Sequence, residues 1–207
     1  MIRTQVEEID GRDGDIITKL GYSAYDKEIT IGLYGDYDVD DIITYFNSEG
    51  TVTFSNEPNM YYHYQIIQQI DFERLIRFKT ATVTFHIQPF KFSLAETPKT
   101  FNITNETSVQ IRNIGNTTAK PRITFYGSGT LNISLNNYQV FVINLGDEGY
   151  ITIDTALMEA YKDTIYTLKN RLVTGNYENF VLNQGVNTIS WSGTITKIQI
   201  EDFSRWI

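Results

Sequence analysis

The sequence predicts a mainly β protein of two domains, an N-terminal β-rich domain with one short α-helix over residues 1–95 and a C-terminal β-sandwich over residues 96–207. Three observations predict it. Apolar and polar residues alternate with period two along most of the chain, the mark of half-buried strands. Fourteen Tyr and twelve Phe, with abundant Thr, Ile and Asn, supply the residues that favour pleated surfaces and the turns between them. Around Pro98 both charge and composition change: residues 1–95 hold fifteen Asp and Glu against eight Lys and Arg, and residues 96–207 hold ten against nine. Residues 93–100 are therefore read as the joint.

In the first domain, Gly11-Arg12-Asp13-Gly14-Asp15 signals a hairpin, because Asp-Gly readily supplies positive φ. A turn around residues 21–26 leads into an alternating strand through Ile29 and Ile31. A helix follows over about residues 38–49. Asp38 is its N-cap, Asp40 and Asp41 lie in the first turn where the helix dipole favours anions, and Gly50 stops it. Val39, Ile42, Ile43 and Phe46 fall on one apolar face, which should lie on a sheet. Residues 51–54 and 61–67 read as strands joined across Ser55-Asn56-Glu57-Pro58-Asn59, and residues 80–88 as an alternating strand ended by Pro89.

The second domain is a succession of short strands at residues 109–113, 122–127, 131–135, 139–143, 150–154, 188–191 and 194–201. Turns are expected at Gly115-Asn116, Asn136-Asn137, Gly146-Asp147 and Ser192-Gly193. Such regular spacing implies a sandwich or barrel. Residues 155–171 read as a helical turn or a loose surface segment. The last few residues are expected to return to the first domain.

The residue types argue against most chemistry. With 207 residues, 41% hydrophobic and 20% charged, the chain has enough material for a packed core. A net charge of -8 without a basic stripe speaks against sequence-specific nucleic-acid binding. No stretch is long and apolar enough to span a membrane or serve as a signal peptide, so synthesis in a cytoplasm is expected and no membrane partner is. Cysteine is absent, which removes disulfides and thiolate metal sites. His63 and His86 are the two histidines, each in a predicted strand and each read as packed. No phosphate loop, Gly-x-Ser-x-Gly elbow or His-Glu-x-x-His pair occurs. Asp36, Asp38, Asp40 and Asp41 resemble the opening of a calcium loop, but Asp41 stands where Gly is needed and Asn47 where a bidentate Glu is needed, so we read a helix cap with a solvated acidic face. Four glycosylation-type sequons, at Asn102, Asn105, Asn116 and Asn132, are read as turn and strand composition. Trp191 and Trp206 are read as core or interface anchors rather than sugar-stacking rings. We therefore expect no enzyme, with no catalytic, cofactor-binding or metal residue and no cofactor.

The order of the pieces carries a resemblance. Gly11-Arg12-Asp13-Gly14, the strand through Ile29 and Ile31, the helix from Asp38, Phe54-Ser55-Asn56-Glu57-Pro58 with Tyr61-Tyr62, and Val83-Thr84-Phe85 closing at Pro89-Phe90-Lys91-Phe92 resemble the N-terminal domain of distal tail proteins of long-tailed, non-contractile phages. Pro121 to Gly129, Ile151-Thr152-Ile153-Asp154, residues 182–189 and Phe203-Ser204-Arg205-Trp206 are similar to that family's C-terminal, galectin-like sandwich. The resemblance implies a structural virion protein at the tail tip, or baseplate, of a siphophage. Its first domain would form a homohexameric ring that joins the major tail tube protein above to a tail-associated fibre, lysin or receptor-binding protein below. Family members commonly carry a longer segment before the Arg-Asp-Gly hairpin than this chain, where Met1 lies close to it. A galectin-like sandwich also suggests an alternative, a carbohydrate-binding module for host glycans. Clustered exposed aromatics would favour sugar and buried ones a scaffold.

Overall fold

A computed structural model describes residues 2–46, 49–68 and 70–207, without the side chains of Val39 and Ile43. The chain divides into two units, residues 1–91 and 92–207.

The first unit opens with β1 (Ile2–Glu7) and β2 (Ile16–Tyr22), an antiparallel ribbon that is a sheet of its own. Gly11 and Gly14 in the connecting loop both take positive φ, the conformation the Asp-Gly pattern was read for. Then come β3 (Tyr25–Gly32), α1 (Val39–Phe46), β4 (Glu49–Val52), β5 (Met60–Ile66), α2 (Phe72–Phe78) and β6 (Thr80–Ser93), and the four strands form one sheet in the order β3-β6-β5-β4. Ala81, Val83, Phe85 and Ile87 of β6 are buried with Phe54, Tyr62, Ile70 and Leu75, as period two requires of one sheet face.

Ile42 and Phe46 of α1 pack against this core, but both are half-buried rather than enclosed. Val39 and Ile43, placed on the same face by the sequence, lie outside the described side chains, as Asn47 lies outside the described residues. The helix is shorter than expected. Its described span is Val39–Phe46, and Glu49 and Gly50, the latter read as its stop, belong to β4. A second helix, α2, was not expected. Its N-cap is Asp71, which accepts the N–H of Arg74, and Leu75 plugs it into the core. Pro89 does not end β6. The pairing of β6 with β3 runs only as far as Ile87, so the missing N–H of Pro89 removes nothing from that ladder.

The second unit contains β7 (Lys99–Asn102), β8 (Ser108–Asn113), β9 (Arg122–Leu135), β10 (Tyr138–Gly146), β11 (Tyr150–Asp154), β12 (Glu159–Lys162), β13 (Thr164–Leu168), β14 (Val173–Gly175) and β15 (Gly185–Glu201). Several of these correct the sequence reading. Residues 122–127 and 131–135 are one strand, β9, and Ser192-Gly193 is not a turn but a bulge inside β15. β9 pairs with β11 through its first half and with β10 through its second, and β15 follows it along both. The two strands bend together. A side chain at Gly127 would overlap the Thr194 carbonyl, and one at Gly193, whose φ is +100°, would overlap that of Thr130. These bends fold the sheet into two layers around one core that includes Ile123, Phe125, Leu131, Ile133, Phe141, Phe180 and Ile198. Residues 155–171, expected to be a helical turn or loose, instead contribute β12 and β13.

Candidate interaction surface

The ribbon carries a row of apolar residues that remain in solvent. Along β1 every residue is exposed, and Ile2, Val6, Ile9, Ile17 and Leu20 each show half or more of their surface. Val6 stands opposite Ile17 and Ile2 opposite Tyr22, with a bulge between Arg3 and Thr4. The base is anchored: the Tyr22 ring meets Phe90 edge to face at 5.3 Å, and Lys19 Nζ lies 4.4 Å from the centre of the Tyr22 ring and 2.8 Å from its hydroxyl. A two-stranded ribbon with no third strand is marginal in water, and an exposed row of this kind marks a contact surface. The sequence located the hairpin but gave no sign that its faces stay uncovered.

The Asn-Glu-Pro turn proves to be a structural clamp. Glu57 accepts the Tyr62 hydroxyl and the Lys91 ammonium, and the backbone closes the turn from Glu57 N–H to Phe54 O at 2.9 Å and from Met60 N–H to Glu57 O at 3.1 Å. The hydrogen bond from Lys91, then that from Tyr62, pulls the Glu57 carboxyl below the usual carboxylate range. Burial, reinforced by Glu57, pushes the Tyr62 phenol up. Lys27 completes the group with its Nζ 3.5 Å from the centre of the Phe54 ring.

The remaining residues singled out in the sequence do not converge. Asp38 accepts the Asp40 N–H at 2.8 Å, the capping contact, and its carbonyl takes the Ile42 N–H at 3.3 Å. Among the described residues no group of His, Asp and Glu could hold a metal ion. His86 Nδ1 lies 2.6 Å from Asp26 on the adjacent strand, while His63 meets Tyr61 edge to face. Asn116 accepts the Ile207 N–H at 2.9 Å, and Asn132 donates to Ser192 at 3.0 Å. Trp191 is 8% exposed and belongs to the core.

Two features of the second unit bear on sugar binding and on the closing motif. On the polar side of the sheet, Tyr126 and Tyr150 stack on each other at 5.2 Å, with Lys197 over the first ring at 3.6 Å and Lys162 over the second at 5.1 Å. Both rings already carry neighbours on their faces. At the end of the chain, Glu96 Oε1 accepts the Ser204 N–H at 3.2 Å, Ser204 Oγ accepts the Ile114 N–H at 3.1 Å, and a side chain at Gly115 would overlap the Arg205 carbonyl. Ser204 and Arg205 of the closing motif are thus tied to Glu96, Ile114 and Gly115 of the second unit. The other Glu96 oxygen is buried without a hydrogen-bond partner among the described residues, and burial raises this carboxyl above the usual range.

Compared with solved structures, the chain is similar to the SPP1 Dit protein (gp 19.1), described as a paradigm of the hub adsorption apparatus in phages infecting Gram-positive bacteria. The match covers 97% of this chain and 88% of that one, with a TM-score of 0.58 and 18% identity. The fold is that of a distal tail protein. Coverage on this scale means that both units take part in the distal tail fold. No protein-family model matches the chain, and no curated protein does. At 18% identity the likeness to the distal tail protein is one of architecture, which is what the ordered motifs of the sequence pointed to. Among the described residues no helix is long and apolar enough to cross a membrane.

Proposed function

We propose that the chain is a structural phage protein, the distal tail component at the hub of the tail tip, made in the bacterial host and built into the virion. Copies of the first unit associate in a homohexameric ring. The tail tube protein meets one face of that ring, a fibre, lysin or receptor-binding protein meets the other, and the galectin-like sandwich lies in the second unit. The exposed apolar ribbon carries this reading, because a surface of that kind on a hub fold is satisfied when neighbouring subunits cover it. Charge is consistent with a lumen that passes DNA without holding it: residues 1–91 contain fifteen acids and eight cations. The protein acts without catalysis in this role. The carbohydrate-binding alternative is disfavoured by the Tyr126 and Tyr150 rings, whose faces already carry each other and two lysines.

Immunogold imaging of assembled virions tests the reading. Label confined to the tail tip, with six copies per particle by quantitative mass spectrometry, is the expected result. Label elsewhere overturns it, as does tight binding of host glycan that survives substitution of the ribbon.

A further inference from the structure

Along α2 lies a cleft of about 580 Å³, lined by Asp71, Glu73, Arg74, Arg77, Phe78 and Thr80. The helix uses Leu75 for the core and leaves Ile76 46% and Phe78 64% exposed. Its charge is unusual for the unit. Three of the eight cationic side chains of residues 1–91, Arg74, Arg77 and Lys79, fall within residues 71–80. Of the two acids there, Asp71 is committed to the helix cap and Glu73 faces Arg77 at 3.8 Å in an exposed pair that exchanges at little cost.

The end of the ribbon has the opposite character. Residues 7–15 carry Glu7, Glu8, Asp10, Asp13 and Asp15 against Arg12, around an Ile9 that is 50% exposed. Strands of six and seven residues put this end about 20 Å from the Tyr22 anchor. Each patch therefore has an exposed apolar centre and a charged rim, with the signs reversed. Both are exposed within a single chain, so neither satisfies the other there.

We propose that the ribbon end of one copy docks on the α2 face of the next, with Ile9 against Ile76 and Phe78 and the ribbon carboxylates beside Arg74 and Arg77. Two different patches on one chain make a head-to-tail contact, the kind that closes into a ring. The inference rests on the ring reading above and names the surfaces that would join its subunits. The contact weakens with salt, since exposed charges are screened over about 8 Å at physiological ionic strength.

The absence of cysteine makes the test direct. A full-length chain carrying both Ile9→Cys and Phe78→Cys, oxidised under conditions where the wild type assembles, is expected to give a ladder of cross-linked species on a denaturing gel. Mixing the two single variants is expected to stop at dimers. A pair made of Ile9→Cys and Tyr138→Cys is the control, Tyr138 being 78% exposed on the second unit. In parallel, Arg74→Glu with Arg77→Glu should weaken association about tenfold or more by sedimentation, and adding Glu8→Lys with Asp13→Lys should restore it. Cross-linking confined within one chain or no faster than the control overturns the contact, as does reversed-charge protein that assembles like wild type. In those cases a wild type that still forms rings leaves the hub reading standing. A wild type that remains monomeric at every concentration and salt, with no ring at the tail tip, removes both.

Discussion

Glu57 holds the turn before Pro58 to two strands at once, through Tyr62 on β5 and Lys91 on β6. Its pKa is lowered, so its stabilising effect is full above the ordinary carboxylate range and is lost as pH falls through the lowered folded value. Glu57→Gln should therefore cost about 1–2 kcal/mol at pH 7, allowing for partial exposure, and the gap between the two urea midpoints should close in acid. A gap independent of pH would show that the carboxylate charge plays no part. Glu96 works with the opposite sign. Burial raises its folded pKa, so stability is greatest when the acid is protonated and falls as pH rises through that value. Asp202 adds to the rise, while Lys99 and Arg112 line a cavity that Glu96 also lines. Glu96→Gln, which keeps the acceptor for Ser204 N–H, should melt above wild type at pH 8 and level with it in mild acid. Equal melting at pH 8 would contradict the account. The sequence showed a turn at residues 55–59, but not its clamp, because Lys91 lies 34 residues away and long-range pairing leaves no local pattern.

Among the elements, α1 was legible from its cap and apolar spacing, yet its burial was overstated. Phe46 is half-buried and edge-on to Tyr45, so Phe46→Ala should cost about 1–3 kcal/mol, below the full value for an enclosed Phe. A larger loss in denaturant would mean that the helix face is covered more deeply. α2 escaped notice because seven residues make barely two turns, too few for a helical period to stand out. The bent strands β9 and β15 were each read in two pieces for a related reason. Alternation breaks at Gly127 to Gly129 and at Gly193 whether the chain turns back or merely bends, and only the pairing partner distinguishes the two. Gly193→Ala should cost about 3 kcal/mol, because a methyl group there combines positive φ with overlap at the Thr130 carbonyl. Thermal melting tests it, and a midpoint near wild type would mean that the bend relaxes freely.

At the scale of the whole molecule, the mainly β fold was legible because two periodicities and an ordered set of turns agreed, whereas the exposure of the ribbon was not, since exposed and buried strands can share the same alternation. A variant lacking residues 1–22 should keep the melting transition of the second unit, whose core contains none of them, and lose self-association in sedimentation. Rings that persist without the ribbon would contradict this. The pairing of β15 also sets an order of events during synthesis. β7 and β8 each find β15 as their strand partner, and it is made some eighty residues after them. On the ribosome the first unit can close while β7 and β8 still wait with open edges, so the sandwich is completed only when the stretch ending at Glu201 has emerged. Slowing translation within β15 would lengthen the interval in which those edges can capture a neighbouring nascent chain.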